Sequence, residues 1–192
     1  MITTRKAKDT DRNDIAFCIA EGFEKDFSVL SNDCQKIANA IAPGLHIDKF
    51  FVAEIDNKIV GVSAISDCKS RCISVNRKSM VKHLGFFWGT IGTMILKGEF
   101  EKQLNYPTQT GYIEMVAVRK EYRKQKVATT MLKEYISMSN YKDFILDVVD
   151  TNSNAYNCYA KIGFKEFARI PEKHAKQKGF NAKIYMQYTP LV

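Results

Sequence analysis

Apolar positions along the first third of the chain alternate between helical and strand spacing. Ile15, Cys18, Ile19 and Phe23 recur three and four apart, so "DTDRNDIAFCIAEGF" reads as an amphipathic helix with Thr10 or Asp11 as its cap. Cys34, Ile37, Ala38 and Ile41 repeat the pattern until Pro43-Gly44 stops it. Ahead of them "TTRKA" is a short strand. "KFFVAEIDNKIVGVSAIS" reads as two apolar strands turning at Asp56-Asn57. Later, "GYIEMVAV" and "DFILDVV" are strands, each followed by a helical pattern. The second of those helices, "SNAYNCYAKIG", closes at Gly163, and "GFKEF" and "AKIYMQY" complete the strands. Helices interleaved with strands and hairpins predict an α/β fold with one mixed sheet.

One stretch lies outside that alternation. More than 40 residues separate Ser66 from Gly111, and within them Leu84, Phe87, Trp88, Ile91 and Ile95 recur at helical spacing. No charge interrupts Leu84 to Leu96, yet the run is too short to span a bilayer. It reads as a helix packed on the core. It also fits a lid over a pocket, a dimer surface or, with Lys78, Lys82 and Lys97 flanking it, a helix lying on a membrane surface.

Length and composition narrow the class. The 192 residues suit one well-cored domain spanning 1–192, with the insertion at about 67–110. "MITTRKAKDTDRNDIAF" carries charge without an apolar centre, unlike a signal peptide. Five cysteines without a scaffold spacing suit a reducing compartment, so the expected location is cytoplasmic. His46, His83 and His174 are scattered, and Cys68 with Cys72 lacks two further ligands, so no metal is expected. The net charge of +8 raises the question of nucleic acid. There is no zinc-finger spacing, RNP-like strand or arginine-rich arm, so nucleic acid is not the expected partner, and with no segment long enough to span a bilayer no membrane partner is expected either.

The dense basic cluster is Arg119, Lys120, Arg123, Lys124 and Lys126, between the strand "YIEMVAV" and a helix starting near Val127. Val127, Met131, Leu132 and Tyr135 mark that helix's buried face. A strand, a polar loop and a helix start together make an anion cradle: backbone N–H groups without helical partners face the ligand, and the macrodipole favours negative charge.

With those residues in view, "VAVRKEYRKQKVATTMLKEYI" followed by "LDVVDTNSNAYNCYAKIGFKEF" resembles the GNAT superfamily of acyl-CoA-dependent N-acyltransferases. The family's loop, Gln/Arg-x-x-Gly-x-Gly/Ala, corresponds here to Arg123-x-x-Lys126-x-Ala128. The second motif aligns Asn154, Ala155, Tyr159, Lys161, Gly163 and Phe164. The resemblance implies a mostly antiparallel central sheet flanked by helices, with the helical insertion between the third and fourth strands.

It also implies acetyl-CoA as co-substrate. Its diphosphate would lie on the loop amides of Arg123, Lys124, Gln125, Lys126, Val127, Ala128 and Thr129. Its pantetheine arm would pair with Met115, Val116 and Val118, as an added strand does. Tyr159 holds the family's general-acid position and Val116 N–H could face the oxyanion. Tyr159 as a core aromatic is the alternative. Glu114, a carboxylate in an apolar strand, is either a possible general base or a buried group paired with a neighbour. Asn154 caps its helix or bonds the pantetheine, and Lys161 is a solvated charge or a cofactor neighbour. Lys126 stands where a glycine is expected. A lysine there adapts the cradle if its φ is negative and spoils it if positive φ is required.

The leading expectation is an N-acetyltransferase acting by direct transfer to an amine. The acceptor is a small amine, an amino acid, an aminoglycoside-like compound or a protein N-terminus or lysine. The insertion would shape its pocket, with Phe86, Phe87 and Trp88 hinting at an apolar acceptor. The alternatives are a non-catalytic acyl-CoA-binding module and nucleic-acid binding through the basic loop. A homodimer is possible.

Overall fold

Asp56 and Asn57 both take positive φ, 50° and 60°, which is the turn that a tight hairpin between right-twisted strands demands. They join β2 (Phe50–Ile55) to β3 (Lys58–Ser66). The computed structural model describes residues 1–190. β1 (Thr3–Lys6) and three helices precede the hairpin: α1 (Arg12–Gly22), α2 (Glu24–Phe27) and α3 (Cys34–Ile41). After it come α4 (Arg77–Leu84), α5 (Phe86–Phe100), β4 (Thr110–Val118), α6 (Val127–Met138), β5 (Asp143–Val149), α7 (Ser153–Ile162), β6 (Lys165–Pro171), α8 (Ala175–Lys178) and β7 (Ala182–Tyr188). The seven strands form one sheet in the order β1-β2-β3-β4-β5-β7-β6, antiparallel except between β4 and β5.

Two apolar layers cover the sheet. On one face α1, α3 and α4 pack Ile15, Ile19, Ile37 and Met80 over Phe50, Val52, Val62 and Met115. On the other, α6 places Val127, Met131, Leu132 and Tyr135 against Phe51, Ile113, Phe144 and Leu146. On the first face the β5-β7-β6 half displays Asp147, Lys183 and Tyr185.

Three local expectations change. Asp11 does not cap α1; its carboxylate accepts from Arg5 and from Lys8 N at 2.7 Å, tying the helix entry to β1. Asn152, not Asn154, caps α7, accepting from Ala155 N at 3.1 Å. The apolar stripe of the insertion is not buried. Gly85, at φ +80°, divides the predicted helix, and α5 turns its small residues inward. A Cβ on Gly89 would stand 2.5 Å from Val81 Cα, and one on Gly92 2.9 Å from Leu30 and Met80, so only small side chains admit α4 this closely. Phe87, Trp88 and Ile95 therefore face outward.

Candidate active site

β4 and β5 pair only at Thr110↔Asp143, Gly111↔Phe144 and Tyr112↔Ile145. Beyond Tyr112 the strands part, which leaves one edge of β4 open within the sheet. The cause lies partly in β4, where the register with β3 shifts between Ala117 and Glu114 and Met115 takes φ 57°. Two residues, Met115 and Val116, stand against Ser63, a bulge that re-aims the strand. Buried Ser63 Oγ lies 3.4 Å from the Glu114 carbonyl and 2.9 Å from Tyr135 Oη, so the interior of α6 supports the bulge. Arg119 N donates to Val60 O at 2.9 Å, directing alternate backbone groups toward β3. Val116 and Val118 thus direct theirs toward the gap.

The loop after β4 is held from below. Lys120 N donates to Glu21 at 2.9 Å, Lys120 Nζ pairs with Glu24 at 2.6 Å, and Arg119 lies over the Phe17 ring at 4.8 Å. Arg123 Nε donates to Val118 O at 3.1 Å and its Nη2 to Glu21 O at 3.3 Å. Three of the five cations are therefore spent on the loop's own shape. Lys124 and Lys126 remain exposed and adopt φ 62° and 63°. The negative φ that would let a lysine adapt the loop without strain is therefore absent: Lys126 takes the left-handed conformation that a glycine adopts freely, with its side chain exposed and the neighbouring N–H groups still open. Among the described residues, the backbone N–H groups of Lys124, Gln125, Lys126, Val127, Ala128 and Thr129 make no hydrogen bond. Such a run of free donors at the start of a twelve-residue helix has the local dipole and open N–H groups that favour negative charge.

Tyr159, on the inner face of α7, is buried and packs against Phe164 with ring centroids 6.1 Å apart. Its Oη has no hydrogen-bond partner among the described residues. Burial first, then Cys158 and Asp147 nearby, pushes the phenol above its ordinary range, so it stays protonated at neutral pH. Cys158 Sγ lies 3.2 Å from Thr129 Oγ1, linking α7 to the start of α6. Asn154 and Lys161 are exposed on α7.

On the opposite face, Glu114 is engaged by a ring of donors. Arg71 Nη2 lies 2.6 Å from Oε2, Arg71 Nε 3.3 Å and Cys72 N 3.4 Å from Oε1, and the Ser66 hydroxyl also donates to Oε1. The pairing that burial of a carboxylate demands is present, and Oε2 carries one hydrogen bond. Tyr112 donates to Asp147 across the gap. Lys183 Nζ lies 3.4 Å from Asp147 and 2.5 Å from Glu99, which ties the end of α5 to β7. Tyr106 stacks on Tyr112 with centroids 5.8 Å apart, and Arg71 sits 5.7 Å over the same ring. Glu114, Tyr112 and Asp147 thus line one wall.

Sequence reasoning missed Ser66, Arg71, Tyr112, Asp147 and Lys183. Asp147 carries the same signal as Glu114, a lone carboxylate within an apolar strand. Tyr112 stands two residues before Glu114 and so on its side of the strand. Arg71 and Lys183 carried none. Among the described residues, no three His, Cys, Asp or Glu side chains cluster as metal ligands.

A seven-stranded sheet that splits between β4 and β5, beside a loop of free N–H groups, defines an α/β fold shared with known acetyltransferase structures. The chain matches the Acetyltransferase (GNAT) family over residues 18–164, and it belongs to that family. N-alpha-acetyltransferase 30 of Dictyostelium discoideum is 31% identical over 83 residues, 42% of this chain and 43% of that protein. An N-alpha-acetyltransferase of Sulfurisphaera tokodaii is 32% identical over 94 residues, 47% of this chain and 54% of that protein. The chain spans about half the length of these curated relatives. Its fold is shared with an N-acetyltransferase of Staphylococcus aureus Mu50, at a TM-score of 0.66 and 16% identity over 97% of this chain and 100% of the other. The yncA protein of Salmonella typhimurium, solved with its cofactor acetyl-CoA, superposes at 0.62 with 12% identity, covering 98% and 94% of the two chains.

Proposed function

We propose that this protein transfers an acetyl group from acetyl-CoA directly to a primary amine, and that the acceptor is the α-amino group of a polypeptide. The observation that carries the transfer is the parting of β4 and β5 beyond Tyr112, beside a loop with six free N–H groups. The acceptor class rests on likeness to the two N-alpha-acetyltransferases.

The free amides from Lys124 to Thr129 receive the diphosphate, with Arg123 shaping the loop and Lys124 and Lys126 adding positive charge. Met115, Val116 and Val118 offer the pantetheine a strand edge, with Asn154 and Lys161 as further contacts. Glu114, through Oε2 and a water, takes a proton from the incoming ammonium. The neutral amine attacks the thioester carbon, and the electron pair moves onto oxygen, which Val116 N–H stabilises. Collapse breaks the C–S bond, Tyr159 gives its proton to the departing thiolate, and the attacking nitrogen loses its second proton to solvent to leave the neutral amide. The phenol is then reprotonated from solvent, and each turnover releases one proton.

Calorimetric titration with acetyl-CoA, followed by thiol-release assays against peptides with free and blocked N-termini, tests this. Saturable binding and thiol release with free N-termini alone are expected. Binding without release for any amine would sink the catalytic assignment and favour a module that only binds acyl-CoA. Release with small amines but no peptide would sink the acceptor class alone.

A further inference from the structure

α5 solves its packing problem in an unusual direction. Its inner side is built from Gly89, Gly92, Thr93 and Leu96, which let it lie close against α4. Its bulky side faces solvent, with Phe86 74%, Phe87 65%, Trp88 43%, Met94 72% and Ile95 54% exposed. Half of the large exposed hydrophobic side chains of the described structure lie on this single helix. Phe87, Ile91, Met94, Ile95 and Gly98 follow the three-and-four spacing of one helical stripe about 16 Å long. Concentration of this kind marks a surface that something covers.

The charge around the stripe identifies what covers it. From Arg77 to Gly98 the chain carries Arg77, Lys78, Lys82 and Lys97 and no acidic residue. All four cations are exposed, and Arg77, Lys78 and Lys82 form no ion pair among the described residues. The nearest acids downstream are committed: Glu99 to Lys183 at 2.5 Å, and Glu101 to Val75 N at 2.6 Å. A second copy joined through a two-fold axis would set this cationic rim against itself. An anionic surface would be drawn to it while Phe, Trp, Met and Ile enter the apolar boundary.

We infer that α5, with the basic face of α4, docks this protein on an anionic lipid surface. The sequence led to the expectation of no membrane partner, with a membrane-surface helix only one of several readings of the apolar stripe. Its exposure reverses that. No helix is long and apolar enough to cross a membrane, so the contact is a peripheral one. The catalytic proposal is independent of it: Trp88 stands eleven residues, roughly 16 Å of helix, from Glu99 at the cleft.

Trp88 is the protein's single tryptophan and lies in the patch, so its emission reports docking without a label. The unmodified full chain is titrated with vesicles of phosphatidylcholine alone and of phosphatidylcholine mixed with phosphatidylglycerol. A blue shift with the anionic vesicles only, reversed by high salt, is expected. Replacing Lys78 and Lys82 together by Gln should weaken partitioning roughly 30-fold, at about 1 kcal/mol for each lysine. These exposed substitutions leave the packed faces of the helices untouched. Equal partitioning onto neutral vesicles, or no shift with either, overturns the proposal. A lipid-free, concentration-dependent blue shift with doubled mass by light scattering, abolished by Phe87→Ser with Met94→Ser, also overturns it and assigns the stripe to a second copy.

Discussion

Tyr112 donates its phenolic hydrogen to the Asp147 carboxylate across the line where β4 and β5 part. This bond runs from the last paired residue of β4 to Asp147, two residues past Ile145 on β5, and joins the strands at the floor of the gap. It holds Asp147 between a neutral donor and the Lys183 ammonium. Burial first, and Asp147 second, push the Tyr112 phenol far above its usual range, so the donor stays protonated.

Tyr112→Phe is expected to cost about 1.5–3 kcal/mol of stability, the usual worth of a hydrogen bond to a charged group. If the gap's floor also orients the acceptor, KM for the amine should rise while acetyl-CoA affinity stays unchanged. Denaturant unfolding and two-substrate kinetics separate the effects. A stability loss with an unchanged acceptor KM would reduce the pair to a structural brace.

Lys126 holds a conformation that costs a side-chain-bearing residue about 1–2 kcal/mol. Glycine removes that strain but adds about 0.4–1 kcal/mol of unfolded-state entropy. Lys126→Gly should therefore stabilise the chain by about 0.5–1 kcal/mol. Acetyl-CoA affinity should fall modestly at low salt, where the lost ammonium counts most, and change little at high salt, because the backbone already has the shape the glycine would give. A large gain in affinity would instead mean that the lysine obstructs the cradle.

Tyr159→Phe should lower kcat by a factor of about 100 or more, the range for losing a general acid, with acetyl-CoA binding retained. The pH profile offers a second check. Burial raises the Tyr159 phenol, so loss of this acid cannot depress the rate below about pH 10. Near-native kcat in the variant would return the residue to the core-aromatic role.

Stability should have a limb at each end of the pH scale. At the acid end, burial raises Asp67, but hydrogen bonds from Tyr141, Ser70 N, Lys69 N and Lys49 outweigh it and bring the carboxyl to about 2. A depressed folded value stabilises above the unfolded pKa of about 4, and that contribution is lost as pH falls through about 2. Asp67→Asn should flatten this acid limb. At the alkaline end, burial leads the upward shifts of Tyr112, Tyr135, Tyr141 and Tyr159. Their contribution is fully present below about pH 10 and is lost as pH rises through their folded values. Unfolding free energy measured across pH tests both signs.

Much of the fold was legible because its signals are local. Asp56-Asn57 specified its hairpin turn, Gly163 (φ 119°) its helix end, and Val127 with Met131, Leu132 and Tyr135 the buried face of α6. The loop between β4 and α6 was legible because strand, polar loop and helix start follow one another along the chain. Helix caps were less secure: Asn152 and Asn154 are chemically alike and two residues apart, and only backbone geometry chose between them.

The sequence by itself determined the order of strands and helices, the basic loop and the lone carboxylate in β4. Each depends on residues within a few positions of one another, where spacing is geometry. Tertiary structure decided what surrounds Glu114, since Arg71 and Cys72 reach it from more than 40 positions away. It also decided which side of α5 is inner. An apolar stripe is compatible with core, lid or surface, and here the closer approach allowed by Gly89 and Gly92 gave the interior to the small residues and left the large ones outside.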